Sequence, residues 1–304
     1  MKDRASLLTE QRLPQSSGLD AMSTQQILAI MDEQNQRAVA AVADARAAIA
    51  CAVELVVEQI GAGGRLVYVG AGTSGGLAVL DAAEVPVTFG TERDIVQAVF
   101  AGGLDTAGQF ADVSAEDSAA AGEAAIDERA VDSHDVVMGI AAGGTTPFVH
   151  GALAAARRRG SRTIFLCCVA PFAGEPQADV IIRLLTGPEV VTGSTRLKAG
   201  TATKLALNAI TTTAMVRLGK VYDNLLVEMQ AKGCAKIWDR GARIVAAISG
   251  ADHARAVQLL EQADGSIRHA ILMHMRGIDL HKASQLLSSH HGSLRAALGE
   301  PGNR

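Results

Sequence analysis

The spacing of apolar and polar positions changes near residue 65. From Ser23 to about residue 60, small aliphatic residues recur among polar ones at helical intervals, and Ser23 stands where a helix N-cap belongs. One long Ala-rich helix is expected there. Short unbroken apolar runs then follow at Arg65–Val69, Ile95–Phe100, Asp135–Ala141, Arg162–Val169 and Asp179–Leu184. Such runs are the mark of strands buried on both faces. Helical stretches near 75–84, 116–130 and 147–159 separate most of them. The alternation predicts an α/β fold, a doubly wound, flavodoxin-like parallel sheet whose ligands sit beyond the carboxyl ends of the strands. A further helical stretch is expected over about 200–247.

Two flanking regions differ in character. Residues 1–22 are polar and carry the turn-like sequence PQSSG, so they read as an arm. Near the other end, AVQLLEQADGSIRHAI at 256–271 matches ASQLLSSHHGSLRAAL at 283–298. Each copy reads as helix, glycine stop, helix, a UBA-like repeat suited to packing or to dimerisation. The expected organisation is an arm and helix over 1–57, a sheet domain over 58–220, and a helical region over 221–304.

Composition narrows the class of protein. Of the 304 residues 48% are hydrophobic and only 3% aromatic, so the core must rest on Ala, Val, Leu and Ile. A formal net charge of −4 argues against nucleic acid as the main partner. No apolar run reaches the ~18 residues of a membrane span, and MKDRASLLTEQR lacks the apolar core of a signal peptide. Cys51, Cys167, Cys168 and Cys234 form no CxxC pair, which suggests neither a zinc site nor a disulfide framework. A soluble, cytoplasmic protein is expected.

The strand ends carry the candidate chemistry. YVGAGTSGG at 68–76 contains G-x-G-x-x-G at Gly70, Gly72 and Gly75. Thr73 and Ser74 put hydroxyls where a dinucleotide loop keeps small apolar residues. The acids near residue 92 do not follow a second strand, as a ribose-binding residue should. The loop suits a single phosphate better. Ala142-Gly143-Gly144-Thr145-Thr146-Pro147 follows a second strand, and Pro147 can open a helix. A third loop, 187–201, supplies Ser194, Thr195, Thr201 and the cations Arg196 and Lys198. One such loop is an ordinary helix cap; three at the ends of one sheet point to a sugar phosphate.

Carboxylates complete the set. Asp81 and Glu84 are expected in the last turn of a helix stopped before Pro86, where the helix dipole disfavours acids. Both surface positions and a buried proton-holding Glu84 fit that placement. Glu116 and Asp117 are expected in the first turn of the next helix, where acids are ordinary capping residues.

Taken together, YVGAGTSG, LDAAEVPVTFG, SAEDS, GIAAGGTTPFV and GPEVVTGSTRLKAGTATKLALNAITT resemble the N-acetylmuramic acid 6-phosphate etherases, which carry a sugar-isomerase (SIS) domain. The resemblance runs from about Leu8 through the repeat. It implies a lyase that removes D-lactate from C3 of N-acetylmuramate 6-phosphate in amino-sugar and cell-wall recycling. Glu84 matches the proton donor to the leaving lactate, and Glu116 the second catalytic glutamate, the base at C2. Gly72, Thr73, Ser74, Gly144, Thr145, Thr146, Glu189, Ser194, Thr195 and Lys198 are the implied substrate and phosphate contacts. No metal, nicotinamide or other cofactor is implied, and a homodimer is. Six positions depart from the pattern, among them the pair Val113-Ser114 where Glu-Gly is expected. Gly76 and Thr145 stand where arginines are expected, Gly143 where a serine is, and Leu13 where an asparagine is. These changes keep two rivals open: an isomerase or lyase acting on another sugar phosphate, and a non-catalytic sugar-phosphate sensor.

Overall fold

The computed structural model describes residues 7–103, 113–229, 231, 235–290 and 292–300. Residues 1–6 of the expected arm, and Cys234, lie outside them. Helix α1 (Thr24–Asp44) begins as the sequence predicts, with a reciprocal cap. Ser23 Oγ accepts the Gln26 N–H at 3.4 Å, and Gln26 Oε1 accepts the Ser23 N–H at 2.9 Å. The single long helix is interrupted at Ala45, and α2 (Arg46–Gly61) follows. An alanine-rich run has no stop signal to read, since alanine is the best helix former.

The strands fall within two residues of their expected bounds. In chain order the next elements are β1 (Leu66–Gly70), α3 (Gly72–Phe89), β2 (Val96–Phe100), a 3-10 turn (Val113–Asp117) and α4 (Ala119–Glu128). After these come β3 (Val136–Ile140), α5 (Pro147–Arg158), β4 (Arg162–Cys167), β5 (Val180–Arg183) and α6 (Lys198–Arg217). All pairings are parallel, in the order β2-β1-β3-β4-β5. On one face Val67, Val69, Val137 and Phe165 pack with Ile126 of α4 and with Phe148, Val149 and Leu153 of α5. On the other, Tyr68 projects beneath α3 and α6. Its hydroxyl donates to Asp81 Oδ2 at 2.9 Å, while Asn208 Nδ2 and the Thr211 hydroxyl donate to Asp81 Oδ1 at 2.7 and 3.3 Å. Asp81 is therefore a buried hub and not a surface acid; burial and the nearby carboxylate push the Tyr68 phenol well above its usual range. Arg65 staples β1 to β3, giving its backbone N–H and its guanidinium to Asp135.

Two helix boundaries correct the sequence reading. Helix α3 does not stop before Pro86 but continues through it to Phe89. Pro86 has no N–H to offer the Ala82 carbonyl. Buried Val85 and Phe89 carry the apolar face past that lost bond. Glu116 lies not in the first turn of α4 but in the preceding 3-10 turn. Ser118 is the actual cap of α4, with its Oγ accepting the Ala121 N–H at 3.1 Å.

The chain forms two compact units, Met1–Ala83 with Arg93–Ala214, and Glu84–Glu92 with Met215–Arg304. In the second, α7 (Ala235–Ser249), α8 (His253–Gln262), α9 (Ile267–Arg276), α10 (Leu280–Ser289) and α11 (Leu294–Ala297) surround Leu259, Leu260, Ile271, Leu272 and Leu287. The sequence repeat is a structural one. Asp252 and Asp279 cap α8 and α10 with equivalent bonds, and Gly265 and Gly292 both take φ of 81°. The copies are joined where Arg268 Nη1 donates to the Gly292 carbonyl at 2.7 Å.

Candidate active site

Parallel strands deliver their carboxyl ends to one edge, and three helices begin there. Gly72, Thr73 and Ser74 form the first turn of α3, directly after β1. Gly144 and Thr145 lie in the turn after β3, and Thr146 holds the N-cap position of α5 with no cap bond from its side chain. Ser194 and Thr195 occupy the loop that leads into α6. Each helix start brings partial positive charge, roughly half an elementary charge, to this edge, although at α6 the first N–H groups are already taken by Glu189 and by the Thr195 carbonyl. The edge can hold an anion without a guanidinium.

Close contacts bring the loops together. A Cβ at Gly200, in the first turn of α6, would lie 3.3 Å from the Thr73 methyl and 3.3 Å from the Thr195 carbonyl oxygen, so the first and third loops adjoin. Gly75 admits no side chain at all, because its Cβ would come within 2.6 Å of the Phe100 ring and 2.7 Å of the Gly70 carbonyl. That contact seats α3 against β1. His150 Nε2 donates to the Gly144 carbonyl at 2.7 Å and fixes the second loop from inside α5.

Gly76, where the resemblance implies arginine, faces open space: a Cβ there meets nothing within 4 Å. The missing side chain is not a matter of crowding. Gly76 lies within α3 with ordinary helical backbone, so Gly76→Ala is expected to raise the unfolding free energy by about 0.5–1 kcal/mol. Urea unfolding measures it.

The expected carboxylates occupy different settings. Glu116 is half-buried and accepts a hydrogen bond from the Thr146 hydroxyl, Oγ1 to Oε1, at 3.1 Å. The structure thus places one candidate catalytic group on a residue of the second loop. Glu84 is solvent-exposed on α3, not buried. Glu189 is fully buried. Its carboxylate accepts the Lys198 and Ala199 N–H groups at 3.1 and 2.9 Å, capping α6. Burial raises the Glu189 carboxyl, against the lowering effect of those two N–H groups. Lys198 turns inward and donates to Gln34 Oε1 of α1 at 2.6 Å. Desolvation lowers its ammonium, against the raising effect of Glu189. The polar atoms of both residues have protein partners, and Arg196 is the exposed cation of the third loop.

One neighbour of these loops was not singled out from the sequence. Thr9, in a 3-10 turn of the arm (Leu8–Glu10), is fully buried beside Gly143, and Glu10 lies beside Gly193. No local pattern announces this, because an arm that crosses from one end of the chain to the sheet edge makes only long-range contacts.

The chain is similar to several known proteins. Residues 48–157 match the family model of the glucokinase regulatory protein N-terminal SIS domain. A solved Escherichia coli structure described as a complex with A5P superposes with a TM-score of 0.48 at 16% identity, over 67% of this chain and 97% of its own. N-acetylmuramic acid 6-phosphate etherases are much nearer in sequence. That of a Synechocystis species is 46% identical over 298 residues, 98% of this chain and 97% of the relative. Those of a Picosynechococcus species and of Nostoc punctiforme are each 47% identical over 98% of this chain, and over 98% and 96% of their own lengths. At such identity over nearly its whole length, the chain belongs to the N-acetylmuramic acid 6-phosphate etherase family.

Proposed function

We propose that the chain cleaves the D-lactyl ether of N-acetylmuramic acid 6-phosphate, giving N-acetylglucosamine 6-phosphate and D-lactate. The observation that carries this reading is the Thr146–Glu116 hydrogen bond, which fixes a carboxylate beside an anion-binding loop. The ring-opened sugar has an aldehyde at C1, so its C2 proton is acidic. Glu116 takes that proton, and the electron pair moves to expel the oxygen at C3. Glu84 protonates this oxygen as the C3–O bond breaks and D-lactate leaves. Water then adds across the C2–C3 double bond, its oxygen to C3 and a proton to C2. Thr73, Ser74, Gly72, Gly144, Thr145, Ser194 and Thr195 hold the phosphate and the sugar, while Glu189 and Lys198 brace the start of α6.

The same reading favours a homodimer. The resemblance to the etherases implies a homodimer with its active sites close to the subunit interface. The exposed position of Glu84 suits donation to the site of a second copy. The phosphate ester keeps such a substrate inside the cell, which makes the cytoplasm the expected compartment. Among the described residues no helix is long and apolar enough to cross a membrane.

The test is D-lactate release from N-acetylmuramic acid 6-phosphate by the purified chain. Release supports the etherase and shows that Gly76 and Thr145 are tolerated. Binding of the phosphosugar without release would favour a changed substrate, the reading to which the open space at Gly76 lends weight.

A further inference from the structure

We propose that the N-terminal arm supplies a ligand-binding hydroxyl to the second loop: Thr9 Oγ donates to a phosphate oxygen held at Gly143–Thr146. The inference rests on the sugar-phosphate reading given above and adds a residue to that site from a distant part of the chain.

Thr9 is fully buried, yet its Oγ has no hydrogen-bond partner among the described residues. Buried hydroxyls are nearly always paired, with protein, water or a bound group; Thr91, Thr186 and Thr203 share this unpaired state, and Thr9 is the one beside Gly143. Its position is specific. A Cβ placed on Gly143 would meet one heavy atom within 4 Å, and that atom is Thr9 Oγ, at 3.8 Å. A side chain there would thus be in ordinary van der Waals contact with the Thr9 oxygen and would clash with nothing. At Gly144 the space is closed, since a Cβ would come within 2.7 Å of the Phe172 ring and 2.9 Å of Val169. The loop opens on the Thr9 side.

The loop's own hydroxyls leave room for a further donor. Thr146 Oγ is engaged with Glu116 and Gly143 has no side chain, which leaves Thr145 alone among the loop's hydroxyls for the substrate contacts named above. Thr9 brings a hydroxyl to the same space from the arm. The turn that presents it is closed by the Glu10 N–H donating to the Leu7 carbonyl at 2.9 Å. The neighbouring Glu10 carboxylate lies at the third loop, with Oε2 3.3 Å from a Cβ position on Gly193, and is itself solvent-exposed. The loop sits at the start of α5, a helix of 12 residues whose dipole favours the same anion.

Calorimetric titration of the full chain with N-acetylglucosamine 6-phosphate, and separately with inorganic phosphate and with unphosphorylated N-acetylmuramic acid, tests the assignment. Thr9→Val is expected to weaken the two phosphate ligands about tenfold to a hundredfold, the range for a hydrogen bond to a charged acceptor. It should leave N-acetylmuramic acid within about threefold of wild type. Thr9→Ser keeps the hydroxyl and should bind like wild type. Gly143→Ser in the Thr9→Val background should recover at least part of the loss. Without ligand, Thr9→Val should melt no lower than wild type, because a methyl replaces an unpaired hydroxyl. Unchanged phosphate binding in Thr9→Val, or equal losses in Thr9→Ser and Thr9→Val, would overturn the proposal. A wild-type chain that binds the phosphosugar and releases no lactate would overturn the etherase activity while leaving the Thr9 comparison intact. A wild-type chain that binds no phosphorylated ligand would overturn both.

Discussion

Glu84→Gln is expected to reduce D-lactate release by about a hundredfold to ten-thousandfold, the usual worth of a positioned general acid. Exchange of the C2 hydrogen with solvent deuterium should persist, because proton abstraction belongs to Glu116. Glu116→Gln should lose both reactions. If Glu84 serves the site of the second subunit, the two inactive variants complement each other. Mixing them under conditions that exchange subunits should restore about a quarter of wild-type release, since half the dimers are mixed and each then holds one intact site. Gel filtration establishes the dimer, and lactate release from the mixture measures the recovery. No recovery from a mixture shown to contain mixed dimers would place both glutamates in one subunit. Normal release by Glu84→Gln would remove it from the chemistry altogether.

The second large effect concerns packing that holds Glu116 in place. Helices α4 and α5 meet through two glycines. A Cβ on Gly122 would fall 1.9 Å from the Phe148 carbonyl oxygen, and one on Gly151 would fall 2.0 Å from the Ala119 carbonyl oxygen. These are backbone atoms and cannot swing aside. Gly122→Ala must therefore push the helices apart, at an expected cost of about 1–3 kcal/mol and more if the pair cannot shift, despite the better helix propensity of alanine. Denaturant unfolding measures it. The consequence reaches the site because the turn that bears Glu116 leads directly into α4, while Thr146 begins α5. Separating the helices stretches the 3.1 Å Thr146–Glu116 bond. Lactate release by the folded fraction should fall at least about tenfold, as misplacement by an ångström can cost more. Full activity in a destabilised Gly122→Ala protein would show that α4 and α5 do not set the position of Glu116.

Much of the fold was legible in the sequence because it rests on local signals. Unbroken apolar runs marked all five strands, and the glycine stops at Gly265 and Gly292 marked the helical repeat. Boundaries were read less well where the deciding contact is tertiary. Pro86 reads as a helix end, yet the burial of Val85 and Phe89 carries α3 past it. Ala45 breaks a helix that propensity alone would continue. For the site, the hydroxyl loops were visible at the strand ends, whereas the setting of each charge was not. Asp81 and Glu84 are three residues apart in one apolar stretch. The first is buried under Tyr68, Asn208 and Thr211, and the second is exposed. Lys198 reads as a phosphate cation until Gln34, 164 positions away, takes its ammonium. Such pairings have no trace in local sequence.

The parallel order of the sheet also governs how the chain is made. Strand β1 pairs on one side with β2, which soon follows it, and on the other with β3, whose partner residues lie 70 positions further along, as in Arg65 and Asp135. At a synthesis rate of about 5–20 residues per second, the β3 edge of β1 stays open for several seconds after it leaves the ribosome. That edge belongs to Leu-Val-Tyr-Val, a sequence with high β propensity and no charge. Nascent chains of this protein are thus most exposed to aggregation in the interval before residue 140 emerges, and chaperones that shield short apolar strands should improve its yield most at that stage.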